Sequence, residues 1–223
     1  MSIQLAEYIL LKKFKREPFH NLFLLNNIHP KTTAYGGTCS DKTLSYLAEV
    51  KAAGFEAYLH SACIGGEDIH RLVRLEIEGG RYFADIGNGW PSIQLFSADT
   101  PVTYECYGMR YRTVIENGVI TVYHLKRGIE KIQMEIDIAV KPESMIYKSI
   151  KDRFSSNITY PFSNELRFSM VVGDRFLFVR DTQLEIYSHD GYAEISNIHM
   201  KNLESTIVNH FDYDIRPILT QAI

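Results

Sequence analysis

From Pro91 onward the sequence is a succession of short β-like runs separated by turn residues. Val102 to Tyr107, Tyr111 to Glu116, Val119 to Leu125 and Ile132 to Val140 each read as strands. Asn117-Gly118 joins the second and third of them. It is a strong hairpin signal, because a tight two-residue turn needs positive φ at both central positions. Leu166 to Val172 and Arg175 to Arg180 flank Gly173-Asp174 in the same way, and Leu184 to Tyr187 and Tyr192 to Ile195 continue the pattern. So many strands carry exposed edges, and closing them into a small barrel is the economical way to remove those edges. Helices punctuate this half. Pro142, in a first-turn position, opens a helical segment running to about Phe154. Residues 155 to 157 read as a loop. Met200, Leu203, Ile207 and Phe211 mark a closing amphipathic helix over residues 200 to 211.

The first ninety residues have a different texture. Residues 3 to 15 follow helical spacing through Leu5, Tyr8, Ile9 and Lys12, and Pro18 ends the run. The apolar Phe23-Leu24-Leu25 is then broken by Asn26-Asn27 and Pro30. Gly36-Gly37 permits a tight turn, since neither residue carries a Cβ. Cys39 follows at once. A helix-like run from Lys42 to Ala53 comes next, with Leu44, Leu47 and Ala48 on one face and Gly54 at the C-cap. Cys39 is therefore expected at or near a helix N-terminus, where the backbone N–H groups and the helix dipole favour thiolate over thiol. Taken alone it is equally well a small buried hydrophobe.

Two further residues alter that balance. Phe55 to Ser61 reads as a strand, and the loop Gly65-Gly66-Glu67-Asp68 leads to the alternating run His70 to Ile77. Glu78-Gly79-Gly80-Arg81 turns the chain into Tyr82-Phe83-Ala84-Asp85. Pairing across that turn makes His70 and Asp85 cross-strand neighbours or nearly so. A cysteine on a helix start, a histidine on a strand and an aspartate on the adjacent strand are the outline of a Cys-His-Asp triad, which is defined by roles and geometry.

Composition narrows the alternatives. The 223 residues suit one large domain or two small ones, and 24 basic against 27 acidic side chains give a formal net charge of −3. That disfavours nucleic acid as the main partner. The cluster Lys12, Lys13, Lys15 and Arg16 reads as the solvated face of the first helix. Three cysteines at unrelated spacings make no disulfide framework, and neither CxxC nor HExxH is present to signal a metal. No signal peptide and no membrane-spanning run is read, and a reducing cytoplasm fits a catalytic thiolate. Cys63 and Cys106 read as packing residues. The remaining histidines, His20, His29, His60, His124, His189, His199 and His210, are scattered and read as surface or capping residues. The 14 Tyr and 12 Phe most simply fill and cover a barrel.

Taken together, these landmarks resemble the arylamine N-acetyltransferases. Pro18-Phe19-His20-Asn21-Leu22 looks like the family's Pro-Phe-Glu-Asn-Leu motif, and Gly36-Gly37-Thr38-Cys39 looks like its Arg-Gly-Gly-x-Cys motif. His70 matches the catalytic histidine strand, and Asp85-Ile86-Gly87-Asn88-Gly89 looks like Asp-Val-Gly-Phe-Gly. Residues 155 to 178 are similar to the loop and two strands that begin the family's last domain, so the likeness covers nearly the whole chain. It implies an α+β fold with three parts: a helical region with the nucleophile (1–62), a β-barrel region with His70 and Asp85 (63–140) and a small α/β lid (141–223). The papain-like core would be shared with transglutaminases. It also implies ping-pong transfer of an acetyl or other acyl group from a CoA thioester to an amine, with Cys39 as nucleophile, His70 as base and Asp85 orienting His70. Acetyl-CoA would be a cosubstrate, with no permanently bound cofactor and no metal. The expected partners are the thioester and a small amine, with neither nucleic acid nor membrane, in a monomer or homodimer. Backbone N–H groups near Cys39 would serve as oxyanion donors.

The sequence departs from the family's pattern at four places. Tyr35 stands where the family has Arg, Asp41 where it has Glu and Thr43 where it has Asn. Tyr35 and Asp41 are expected to replace the family's Arg–Glu pair by a hydrogen bond. Asn88 stands where an aromatic residue helps line the acceptor pocket, so Asn88 and Trp90 are taken as substrate-binding candidates. For Trp90 a plain core role is an equal alternative. The segment before Cys39 is short, which implies a reduced helical region and a more open cleft. Two rival activities use the same triad: an amide synthase that takes an acyl chain from a carrier protein, and a transglutaminase-like hydrolase or protease. A non-enzymatic relative is a third.

Overall fold

The computed structural model describes residues 1–154, 160, 162, 164–196, 198 and 200–220. The loop expected at 155–157 and His199 lie outside them. Helix α1 (Ile3–Arg16) begins at Ser2, whose side chain caps Leu5 N–H, and ends before Pro18. It buries Ala6, Ile9, Leu10 and Phe14. A two-residue strand β1 (Phe19–His20) and a short helix α2 (Leu22–Leu25) lead to the glycine turn. Helix α3 (Cys39–Ala52) starts three residues earlier than its apolar spacing suggests. The cause is a capping box: Thr38 is the N-cap and Asp41 reaches back to it, so Cys39 is the first residue of the helix.

Two sheets follow. The larger is antiparallel and holds β2 (Glu56–Ile64), β3 (Glu67–Ile77), β4 (Gly80–Ala84), β5 (Phe96–Ser97), β6 (Thr103–Cys106), β7 (Met109–Glu116), β8 (Val119–Lys126) and β9 (Ile129–Asp137). Their order is β5-β4-β3-β2-β9-β8-β7-β6. The sheet curls into a half-barrel whose edges, β5 and β6, are not paired with each other among the described residues. Strand β2 runs across the boundary expected at residue 62. Asn117-Gly118 turns with positive φ at both residues as read from sequence, and Tyr107-Gly108 and Arg127-Gly128 do the same without the Asn or Asp that would have signalled them.

Helix α4 (Glu143–Asp152) packs against β2, and Glu143 accepts a hydrogen bond from Leu59 N–H. The second sheet, in the order β1-β10-β11-β12-β13, contains β10 (Arg167–Val172), β11 (Arg175–Arg180), β12 (Gln183–Ser188) and β13 (Gly191–Ile195). A 3₁₀ turn (Met200–Asn202) precedes α5 (Leu203–Phe211), so only the latter part of the expected closing helix is α-helical. A last short helix, α6 (Arg216–Leu219), follows. Two buried clusters result. One joins α1, α3 and the half-barrel; the other joins α2, the second sheet and the C-terminal helices. Pairing of β1 with β10 stitches the N-terminal region to the second sheet.

Several side chains differ from their sequence reading. His20, His60 and His124 are buried, not at the surface. Burial pushes their pKa values down to about 3, about 4 and about 3, so each is neutral near pH 7. Lys13 is buried between Glu17 and Glu49, at 2.7 and 2.9 Å, so the basic cluster is only partly a solvated face. Its aliphatic stem covers apolar surface while its head meets carboxylates.

Candidate active site

The glycine turn is fastened to the segment before it. Gly37 N–H donates to the Pro18 carbonyl at 3.2 Å, and His20 N–H donates to the Gly37 carbonyl at 3.0 Å. Gly36 has φ +77°, and a Cβ there would lie 2.0 Å from the Pro18 oxygen. Gly37 has φ +135°, and a Cβ there would meet the Asp41 carboxylate at 2.5 Å. Both positions therefore exclude a side chain on conformational and on steric grounds. His20 completes the fastening. Its Nε2 bonds the Tyr35 carbonyl at 3.2 Å and its Nδ1 accepts from Leu22 N–H at 3.3 Å. A neutral imidazole serves both bonds, in keeping with its depressed pKa.

Three residues from three places in the chain meet here. Cys39 is the first residue of α3, His70 lies in β3 and Asp85 directly follows β4. Val73 pairs with Ala84, so Asp85 lies diagonally across the ladder from His70 and not directly opposite. His70 Nε2 bonds Asp85 Oδ1 at 2.8 Å, with the two side chains 2 % and 0 % exposed. The remaining ring nitrogen, Nδ1, is the one left to act on Cys39, whose Sγ donates to the carbonyl of Ile69, the residue before His70, at 3.9 Å. Gly87 sets the approach of the two halves: a Cβ on it would lie 2.4 Å from Cys39 Cα.

The surroundings of Cys39 and His70 favour the charged form of each. Burial alone would raise the Cys39 thiol, but the hydrogen bond and charge of His70, with the Arg71 guanidinium, outweigh it and hold Cys39 below its ordinary value. Burial alone would lower His70. The Asp85 charge and its hydrogen bond, together with Cys39, outweigh that and push His70 up to about 10. Both shifts run in the same sense, toward a thiolate on Cys39 and an imidazolium on His70. As the first residue of a helix, Cys39 also has an N–H with no intrahelical acceptor, available to an oxyanion.

Asp85 is itself held in place. Gly87 N–H donates to Oδ1 at 3.2 Å, and the Asn88 amide donates to Oδ2. Asn88 Oδ1 in turn accepts from Trp90 N–H at 2.8 Å. Asn88 thus supports the aspartate while also facing a cleft. That cleft, about 220 Å³, is lined by Phe19, Asn88, Trp90, Phe162 and Arg167 among others. A larger one of about 500 Å³ adjoins it, sharing Trp90, Lys126 and Arg180. Trp90 is half-buried and packs against His124, Phe176, Phe178 and Tyr187, with Lys126 Nζ 3.4 Å from its ring centre. It is both a wall of the clefts and an aromatic core residue. Cys39 lines neither cleft. The expected bond between Tyr35 and Asp41 is absent. The Tyr35 carbonyl accepts from His20 and Tyr213, and Asp41 pairs with Arg153, a partner 112 residues away that local spacing gave no means to find.

Among solved structures the chain is similar to those of several arylamine N-acetyltransferases. The enzyme from Mycobacterium marinum matches with a TM-score of 0.83 at 13 % identity, over 97 % of this chain and 88 % of that one. The same enzyme in complex with CoA matches with a TM-score of 0.81 at 14 % identity, over 97 % and 89 %. One from Bacillus cereus, described as having a unique Cys-His-Glu catalytic triad, matches with a TM-score of 0.77 at 13 % identity, over 96 % and 92 %. The chain therefore has the α+β fold of the arylamine N-acetyltransferases. No protein-family model and no curated protein sequence matches it. Among the described residues no helix is long and apolar enough to cross a membrane.

Proposed function

We propose that the chain is an acyltransferase that moves an acetyl group from a CoA thioester to an amine through an S-acyl intermediate on Cys39. The observation that carries this reading is the buried cluster of Cys39 at the start of α3, His70 and Asp85, with His70 bonded to Asp85 at 2.8 Å, in a fold shared with N-acetyltransferases. The Cys39 thiolate attacks the thioester carbonyl. The oxyanion of the tetrahedral intermediate is met by the free N–H at the start of α3. As the C–S bond to CoA breaks, His70 gives its proton to the departing thiolate. His70 is then neutral and takes a proton from the attacking amine, and the amide leaves as the Cys39 thiolate re-forms.

The clefts support a phosphate-bearing donor. Lys126, Arg127, Lys131 and Arg180 line the larger and Arg167 the smaller, with Glu185 the one acid among the lining residues. A CoA thioester carries several phosphates, and such a surface attracts them. Asn88 and Trp90 line the smaller cleft, and in this reading they contact the acceptor amine.

The test is intact-protein mass after brief incubation with acetyl-CoA, beside Cys39→Ala. One acetyl adduct on the wild type and none on the variant is the expected result. Absence of an adduct, with Cys39 still rapidly alkylated by iodoacetamide, overturns acetyl-CoA as donor.

A further inference from the structure

Asp41 lies two residues beyond Cys39, and both of its carboxylate oxygens are occupied. Oδ2 accepts from Thr38 N–H at 3.0 Å and from the Thr38 hydroxyl at 3.1 Å, which closes the cap on α3. Oδ1 accepts from Arg153 Nη2 at 2.6 Å. The two side chains are 4 % and 9 % exposed. An ion pair this deep is not a surface decoration, because removing one partner leaves an uncompensated buried charge. Arg153 is itself anchored: Nη1 donates to the Ile150 carbonyl at 3.0 Å, and the guanidinium lies 4.7 Å from the Phe154 ring centre.

Arg153 is the C-cap of α4, and α4 also grips the strand that carries His70. Arg71 Nη2 donates to the Ser149 hydroxyl at 2.6 Å, and Arg71 Nη1 donates to the His70 carbonyl at 2.8 Å. Thr43 of α3 donates to the Arg71 carbonyl at 2.9 Å. One helix outside the triad therefore holds both elements that carry the reacting pair.

We propose that Arg153 is a positioning residue for the nucleophile: through Asp41 it fixes the first turn of α3 against β3 and cancels a carboxylate charge that would otherwise oppose the Cys39 thiolate. The charged and titratable groups around Cys39 are His70 and Arg71 from β3, Asp85 behind His70 on the loop after β4, Asp41 two residues on in its own helix, and Tyr160. Asp41 is the anion among them nearest in sequence to Cys39, and Arg153 is its ion-pair partner. The biological meaning of this role rests on Cys39 being the nucleophile. Its test does not, because alkylation reads the thiolate without any acyl donor.

The experiment is the pH dependence of iodoacetamide alkylation of Cys39 in the full chain, for wild type, Arg153→Gln, Arg153→Lys and Asp41→Asn/Arg153→Gln. With Asp41 uncompensated, the midpoint for Arg153→Gln is expected to rise by about one pH unit, roughly tenfold less thiolate below it. Arg153→Lys keeps the charge and recovers most of the shift. The double variant removes both charges and returns close to the wild-type midpoint. A wild-type midpoint in Arg153→Gln overturns the proposal. So does a double variant shifted as far as the single one. Loss of the folded state in Arg153→Gln, seen by circular dichroism, also overturns it, since the pair is then a general structural requirement. If acetyl-CoA leaves no adduct on the wild type but the alkylation midpoints move as stated, the acyl-transfer reading fails and the role of Arg153 stands.

Discussion

Gly87→Ala adds one methyl group at the point where the loop after Asp85 meets the helix that begins at Cys39. The added Cβ would lie 2.4 Å from Cys39 Cα and 2.7 Å from its Cβ, where ordinary contact begins at 3.4 Å. The shortfall of about 1.0 Å cannot be absorbed by a flexible side-chain tip, because one of the two atoms is backbone. The start of α3 must move away from the loop by about that distance, or the loop that holds Asp85 must move instead. A misplacement of about 1 Å at a reacting group costs on the order of 10²-fold in rate. Overpacking of this kind destabilises by about 1–3 kcal/mol, so the variant should fold. The assay is the rate of S-acetylation of Cys39 by acetyl-CoA, followed by intact mass, with thermal unfolding as a control. Gly79→Ala is the comparison variant: its φ is +83° and nothing lies within 4 Å of its Cβ, so it strains a distant turn without touching the site. If folded Gly87→Ala acylates within about threefold of wild type, the reasoning that Gly87 sets the Cys39–His70 approach is wrong.

Other outcomes follow from the same geometry. Asp85→Asn removes the charge that raises His70 and should slow Cys39 acylation at pH 7 by on the order of 10³-fold, measured by single-turnover mass spectrometry. Because His70 is raised from 6.5 to about 10, its ion pair contributes stability in full below pH 6.5, and that contribution fades as pH climbs through about 10. The lowered Cys39 pKa acts at the other end, its contribution lost as pH falls through the folded value. Denaturant titrations of wild type and Cys39→Ala at several pH values should therefore differ most between those limits. Asn88→Ala removes a donor to Asp85 and should slow acylation by about tenfold. Asn88→Asp, which sets a second carboxylate there, should be slower still, and equal rates for the two would sink the supporting role of Asn88. Gly36→Ala combines a φ of +77° with a 2.0 Å approach to the Pro18 oxygen and should cost about 3 kcal/mol or more in urea unfolding.

The sequence by itself determined the local vocabulary of this protein. Alternation with turn residues marked most of the strands, helical spacing marked α1, α3 and α5, and Pro142 in a first-turn position marked α4. The turn at Glu78-Gly79 brought His70 and Asp85 near one another, because pairing across a tight turn has few registers. Even the cysteine on a helix start was legible, although the capping box of Thr38 and Asp41 moves that start to Cys39 itself. What tertiary structure decided is everything that depends on residues far apart in the chain. Arg153 answers Asp41 across 112 residues, and no local period encodes such a pairing. Strand β1 pairs with β10, and β2 joins β9 beside β3, so the half-barrel gathers strands from both sides of the expected boundary. His20, His60 and His124 are buried because the sheets and helices close over them, and burial, not residue type, sets their charge. Local propensity and turn chemistry act over a few residues and can be read in order. Burial and charge pairing act through space, and they exist only once the chain has folded.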